Sequence, residues 1–455
     1  MPDRIASIWT RWGGDPRKLG TLIRADDHVR FTYDAQAGDL PGLSLAHPVG
    51  ALIRSGQTLE WRSDILQPLP PMLQALVPPR HEANLQRRIL KKILADRGKP
   101  ASGPEAEWEM LLLSGRGGIG HLDIFADDTE ARNHYAGRRA PAATPTIDDP
   151  MWRLVKDAID GGGPGQAERG IEELAALVGP RPTALGMMPK MLMRIRPPGR
   201  NEAVDAVVKF ETGDYAGVLA LEALCHDIHK EAGFDTPRIW LTEAGTLRLL
   251  IVERMDRTSQ GTPLPFETVF SILHAASAGK IDLPTTDAQT GLPSFETVAN
   301  MLVASRLSAF RDPRGDAERI YRRIVMALLT GNGDLHLENL AFLGTRPDAR
   351  LSPVYDPAPM RAFPQHDMVS AIRFGDMRTD TSALVGDFGD RVLALAGAFN
   401  LRRDSARKAI RESLDATETY LSRVDALDIP DGRKRQLEGA VGGIRHRLER
   451  IAGHS

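Results

Sequence analysis

Nine residues in the C-terminal half, Gly331-Asn332-Gly333-Asp334-Leu335-His336-Leu337-Glu338-Asn339, constrain this chain more than any other feature. They place Asp334 five positions before Asn339, and in the following Tyr355-Asp356-Pro357 the Asp lies seventeen positions beyond Asn339. Transfer of a γ-phosphoryl group needs a carboxylate to orient and deprotonate the acceptor hydroxyl, and hard oxygen ligands to hold magnesium against the phosphates. An Asp, an Asn and a second Asp supply those parts, and the five-residue step from base to magnesium-binding Asn is the one protein kinases use. The flanking residues are not those of the common His-Arg-Asp loop, so the spacing carries the inference. Alone, the nine residues also read as an ordinary Asn-Gly and Gly-Asp turn whose carboxylate caps a neighbour. The Asp356 element favours phosphoryl transfer.

Ile320, Ile324, Val325 and Leu328 recur at helical spacing, which predicts a buried helix ending near Thr330, at the Gly-Asn-Gly breaker. Beyond the loop, 340–343 and 351–355 read as short strands joined by a turn with Gly344, Pro347 and Asp348, a hairpin that would bring Asp356 to Asn339.

A nucleotide site needs a second half upstream. The apolar run 206–210 carries Lys209, and Glu222 lies thirteen residues on, in a predicted helix over 218–229. Lysine on a strand and glutamate on the next helix form the ion pair that positions the α- and β-phosphates; a lone strand Lys is otherwise a solvated edge residue. The run 249–256 reads as a buried strand, either a simple core strand or one leading to a hinge that presents backbone to adenine.

Together these residues resemble the HipA-type serine/threonine kinases, toxins of bacterial toxin–antitoxin pairs. That family carries an Asp-Gly-His-Ala-Lys-Asn-like catalytic loop and a Val-Glu-Arg-Phe-Asp-Arg-like hinge; here they read Asp334-Leu335-His336-Leu337-Glu338-Asn339 and Val252-Glu253-Arg254-Met255-Asp256-Arg257. Leu43-Ser44-Leu45 with Pro48, and the stretch 111–125, are similar to its N-terminal region. The resemblance implies Asp334 as catalytic base, Asn339 and Asp356 as magnesium ligands, and Lys209 at the ATP phosphates, with Tyr355 and Glu222 taken as further nucleotide-site residues; His336, beside Asp334, reads as orienting the loop, as contacting ATP, or as a histidine satisfied by backbone, the orienting role being favoured. The resemblance also implies Glu253, Arg254 and Met255 bordering adenine. Leu185-Gly186-Met187-Met188-Pro189-Lys190 matches the family's phosphate-covering loop, usually Ala-Gly-Ala-Gln-Glu/Pro-Lys, and Thr183 occupies the slot of its autophosphorylated serine. A dianionic phosphate there would compete with nucleotide. Glu338 replaces the family's catalytic-loop Lys, and Met187 and Met188 replace small and polar loop residues. The implied cofactors are ATP and Mg2+. The implied partners are a protein substrate, in this family including aminoacyl-tRNA synthetases, and a small helix-turn-helix antitoxin (HipB-like), with DNA reached only through the antitoxin.

Three other motifs compete. Gly115-Arg116-Gly117-Gly118-Ile119-Gly120 satisfies Gly-x-Gly-x-x-Gly, but a helix-like 105–113 precedes it and a strand-like 121–125 follows, the reverse of a dinucleotide fingerprint. Cys225, His226 and His229 lack the second cluster zinc would need and read as an ordinary helix surface with Cys225 buried. Arg433, Lys434, Arg435, Arg445, Arg447 and Arg450 read as a solvated helix face, or as an aid to a DNA-bound complex.

With 58 basic and 60 acidic residues, net charge −2, nothing drives the chain as a whole toward nucleic acid or an anionic membrane. One cysteine suits a reducing cytosol, and neither a run of about 18 apolar residues nor a signal-like N-terminus is present, so a cytoplasmic protein without membrane contact is expected. The expected fold is α+β: bilobal and protein-kinase-like, with an N-terminal subdomain (1–127), a linker region (128–165), a small lobe (166–257) and a mostly helical C-terminal lobe (258–455) closing with amphipathic segments near 402–425 and 432–452. Two alternatives remain at this stage: a small-molecule kinase of the aminoglycoside or choline type, and a degenerate kinase acting as co-repressor or scaffold.

Overall fold

The computed structural model describes residues 4–65, 67–81, 84–137, 144–160, 166–182, 188–278, 294–303, 308–375, 377 and 379–453. It divides into two compact units. The first comprises Met1–Gly213, Arg238–Glu267 and Leu343–Arg346; the second comprises Asp214–Pro237, Thr268–Phe342 and Pro347–Ser455.

The first unit holds two antiparallel sheets. One orders its strands β4-β3-β2-β1-β5, with β1 (Arg4–Thr10), β2 (Arg17–Arg24), β3 (His28–Tyr33), β4 (Leu59–Arg62) and β5 (Leu122–Phe125). In β3 the alternation is clean: Val29, Phe31 and Tyr33 are buried while Arg30 and Thr32 face out, the period-two pattern of a half-buried strand. The helices Leu85–Asp96 and Gly103–Ser114 belong to this unit. Glu107, buried on the second, is held by Arg87, by Arg80 at 3.2 Å and by Gln74 at 3.3 Å, so its charge is paired inside the core.

The second sheet orders its strands β6-β7-β9-β8, with β6 (Lys190–Ile195), β7 (Val204–Phe210), β8 (Ile239–Ala244) and β9 (Leu247–Glu253). The runs read from sequence as a lysine strand and a core strand are β7 and β9, and β9 stops at Glu253 rather than continuing to Asp256.

The stretch 128–165 is not a plain linker. Asp128–Gly137 and Met151–Asp160 are helices. Asp127 accepts the Glu130 N–H at 2.8 Å while the Glu130 carboxylate accepts the Ala126 N–H at 2.8 Å, a reciprocal cap that starts the first helix. Asp149 accepts the Met151 N–H at 3.0 Å at the second. The Ala-Pro composition of this region outweighed these cap signals in the sequence reading.

The second unit is built on the helix Pro313–Thr330. Asp312 caps it by accepting the Gly315 N–H at 3.0 Å, and Gly331 ends it at φ +78°, a conformation that favours glycine. Ile320, Ile324, Val325 and Leu328 are buried, as their spacing predicts, each contributing about 1.5–3 kcal/mol of apolar burial. Phe295–Val303, Arg403–Ala416 and Asp431–Ala452 pack against it. Tyr420 donates its hydroxyl to the Thr330 carbonyl at 2.9 Å, satisfying a helix-end acceptor. The helix Val218–Glu231 is buried rather than surface-lying: Cys225, His226 and His229 are 0%, 2% and 3% exposed, which corrects the expectation of an ordinary helix surface. In the basic C-terminal helix, Arg445 donates to Leu414 O and Thr417 O and pairs with Glu449, so part of that charge is spent within the fold.

Candidate active site

The loop after Thr330 is fixed almost entirely by its own backbone and two asparagines. Asn332 donates its N–H to Ala327 O at 2.8 Å, and its Oδ1 accepts the Asp334 N–H at 3.0 Å, an Asx turn that sets the direction of the chain into Asp334. A Cβ on Gly333 would lie 2.0 Å from Met368 O, so no side chain fits there. Asp334 O accepts both the His336 N–H at 2.8 Å and Asn339 Nδ2 at 2.9 Å. The Asn339 amide nitrogen is thereby spent on the loop, which leaves its Oδ1 as the ligand-type atom. Asn332 and Asn339 are buried, while Asp334, His336 and Glu338 are half-buried. His336 Nδ1 accepts the Glu338 N–H at 3.2 Å.

Asp356 is tied to this loop through its neighbour. Tyr355 donates its hydroxyl to Glu338 O at 2.5 Å, and burial holds the phenol pKa well above its ordinary value, so it acts as a donor at any physiological pH. Asp356 itself has φ +50°, a left-handed conformation that costs a non-glycine residue roughly 1–2 kcal/mol. Strain of this kind persists where the surroundings over-determine a position. The expected strands are shorter than read: Ala341–Leu343 and Arg350–Leu351 are neighbours in one sheet, and irregular chain carries Asp356. Among the described residues no group of three or more His, Cys, Asp or Glu is placed to hold a metal.

In the first unit, Lys190 on β6 stands directly opposite Lys209 on β7, and both are buried, 7% and 4% exposed. Cross-strand partners share a face, and like charges there repel unless an anion lies between them. Sequence reasoning named both lysines but not this register, which follows only from strand pairing. Met188 and Pro189 lead into β6 and are half-buried; Thr183, Leu185, Gly186 and Met187 lie outside the described residues. Glu222, 2% exposed, belongs to the second unit, where His226 Nε2 lies 3.8 Å from it.

In the expected adenine border, one side chain is engaged by the fold. Arg254 is buried and donates to Asp256 Oδ1 at 3.0 Å and Oδ2 at 2.8 Å, to Gly117 O at 2.9 Å and to Gly118 O at 2.5 Å. Arg257 donates to Asp256 Oδ2 and Gly120 O, both at 2.9 Å. The guanidinium of Arg254 therefore clamps the glycine-rich turn Gly115 to Gly120. Glu253 is paired with Arg238, and Met255 is half-buried. Sequence reasoning missed this clamp; alternation of Arg254, Asp256 and Arg257 was its only signal.

An α+β fold with a Lys-bearing sheet and an Asp-Asn loop on a helical unit is that of a protein-kinase-like chain with an added N-terminal region. Residues 183–421, just over half of the chain, match the family model described as HipA-like C-terminal domain, and the chain belongs to that family. In the solved complex of Shewanella oneidensis MR-1 HipA, HipB and operator DNA, one chain superposes with TM-score 0.64 at 16% identity, over 98% of this chain and 97% of that one. This shows the shared fold. A Haemophilus influenzae protein named "Putative kinase" is 26% identical over 40% of this chain and 53% of its own length. "Putative kinase Y4dM" of Sinorhizobium fredii is 24% identical over 46% of this chain and 49% of its own. The chain spans about half the length of the curated relatives it matches.

Proposed function

We propose that this chain is an ATP-dependent kinase of the HipA type, transferring the γ-phosphoryl group to a protein serine or threonine. The observation that carries it is the Asp334–Asn339 loop, locked at the end of a buried helix and joined through Tyr355 to Asp356. The chain's own groups suit the nucleotide: Lys190 and Lys209 oppose one another in register as two cations on one face of the sheet, and Asn339 Oδ1 and the Asp356 carboxylate are hard oxygen donors suited to Mg2+. Bound ATP-magnesium supplies the electrophilic phosphorus. Asp334 accepts the proton of the acceptor hydroxyl as its oxygen bonds to phosphorus and the bond to the bridging oxygen breaks. In this reading the backbone of Glu253 to Met255 serves the adenine, and Lys209 and Glu222 are the residues assigned to the α- and β-phosphates.

The finer reading is that of a toxin held by a small helix-turn-helix antitoxin in the cytoplasm, self-silenced by phosphorylation at Thr183. The Shewanella complex, which contains HipB and operator DNA, supports the partner class. Among the described residues no helix is long and apolar enough to cross a membrane. Glu338, carrying negative charge where a cation would stabilise the transferring group, favours the second reading of a degenerate scaffold.

Radiolabelled ATP-magnesium incubation of the wild type beside Asp334→Asn and Thr183→Ala, with mass-spectrometric mapping of the label, tests both. Label at Thr183 that disappears with Asp334→Asn is the expected result; no label and no ATP binding would leave the scaffold.

A further inference from the structure

The second unit contains a cavity of about 500 Å³ that the catalytic reading does not use. Its wall combines the end of the Val218–Glu231 segment at Phe234 and Asp235, the first turns of Pro313–Thr330, and the chain at Arg350–Ser352. Four arginines line it: Arg319, Arg322, Arg323 and Arg350. Arg319 is engaged by Asp316 at 2.8 Å. Arg322 lies 4.9 Å over the Phe234 ring and donates to Ala232 O at 2.8 Å, which fixes its guanidinium plane. Arg323 is 6% exposed and donates to Ser352 O, yet its Nε and that of Arg322 have no hydrogen-bond acceptor among the described residues. Burial lowers the Arg323 pKa to about 10, the mark of a cation short of compensating charge. Arg350 is exposed at the rim.

The opposing charge is weaker. Asp316 holds Arg319 through Oδ1 while its buried Oδ2 has no partner among the described residues, and Asp235 and Glu318 are exposed to solvent, so three carboxylates face four guanidinium groups. The first turn of the helix adds partial positive charge. Planar guanidinium groups match phosphate oxygens in pairs, which ammonium groups do not. A volume of this size lies within the range of small-molecule sites.

We propose that this cavity is a second ligand site, taking a small phosphate-bearing molecule and passing its occupancy to the Asp356 segment. The route is short. Val354 donates its N–H to Asp235 O at 2.8 Å, so the cavity wall holds the chain two residues before Asp356. Ser352, whose carbonyl receives Arg323, donates its N–H to Ala341 O at 2.8 Å, two residues after Asn339. Closing Arg323 onto an anion bears on that carbonyl and on the strands flanking both oxygen donors. The binding half of the proposal stands on the cavity; the regulatory half rests on the kinase reading above.

The experiment titrates the full chain with inorganic phosphate against chloride at equal ionic strength, following the unfolding temperature. The comparison variants are Arg350→Ala at the exposed rim, Arg323→Met inside, and Lys209→Ala at the proposed nucleotide site. A saturable rise that persists in Lys209→Ala and weakens about tenfold in Arg350→Ala is expected, since a charge-assisted hydrogen bond is lost. No saturable rise, or one lost in Lys209→Ala and kept in Arg350→Ala, overturns the site. A phosphate-dependent change in transfer rate that Arg350→Ala removes supports the regulatory half, and binding without such a change overturns it. If the chain transfers no phosphate under any condition, the kinase reading fails while the binding arm still reports.

Discussion

Two aspartates, one in each unit, stand in adjacent motifs of the sequence reading and are treated in opposite ways. Asp256 is 2% exposed, sits between Arg254 and Arg257, and accepts the Gly120 N–H at 2.6 Å, so its carboxylate is consumed by the fold. The two buried arginines help to hold its pKa below the ordinary carboxylate value against the cost of burial. Asp334 is half-buried; its backbone N–H donates to Asn332 Oδ1 at 3.0 Å and its carbonyl accepts Asn339 Nδ2 at 2.9 Å. A structural carboxylate is surrounded by cations because a buried charge must be compensated. A carboxylate meant to take a proton has instead to stand within hydrogen-bond reach of the acceptor hydroxyl.

The comparison can be broken most sharply at Asp334. Asp334→Asn is expected to reduce phosphoryl transfer by roughly 10²–10⁴-fold, measured as label incorporated from ATP, while the unfolding free energy moves by less than about 0.5 kcal/mol. Asp256→Ala is expected to do the reverse: it strands Arg254 and Arg257 and costs about 3–5 kcal/mol in denaturant unfolding. If Asp256→Ala left stability unchanged, the clamp would carry no energy and the contrast would collapse.

Acid sharpens the comparison next. Burial lowers the His121 pKa to about 4, in the first unit beside Arg257 and Asp123, and that of His229 to about 4 in the second. An unfolded histidine binds its proton near pH 6.5. Between those values the unfolded chain holds more protons than the folded one, so stability is intact above about pH 6.5 and falls as pH drops toward about 4. Each histidine accounts for up to about 3 kcal/mol of that loss. Unfolding curves across this window should flatten by one proton in His121→Gln. The smallest effect is at Tyr355→Phe, which removes the bond to Glu338 O; about 1 kcal/mol of stability should be lost, and magnesium should bind more weakly, so that the transfer assay saturates only at higher magnesium concentration.

Local chemistry made much of the second unit legible. The 3.6-residue period of Ile320, Ile324 and Leu328, closed by Gly331, marks a buried helix without reference to anything distant. Asn332-Gly333-Asp334 likewise encodes its own Asx turn. The first unit was harder to read because its sheets join residues far apart in sequence: β1 pairs with β5 across more than a hundred residues. The helices at Asp128–Gly137 and Met151–Asp160 had readable caps, at Asp127 with Glu130 and at Asp149, hidden by neighbouring alanines and prolines. Gly115 to Gly120 was rightly set aside as a nucleotide loop, but its clamping by Arg254 could not be read from spacing.

The sequence by itself determined the elements whose cause is local: the helix stops, the Asx turn into Asp334, and the Asp-to-Asn step that fits a phosphoryl-transfer loop. Tertiary structure alone decided that Lys190 faces Lys209, that Arg254 serves the fold, that Asp356 takes φ +50° next to a Tyr355 bonded to Glu338 O, and that four arginines gather around one cavity. Register and burial bring those groups together, and both arise from pairings between segments that no local pattern specifies.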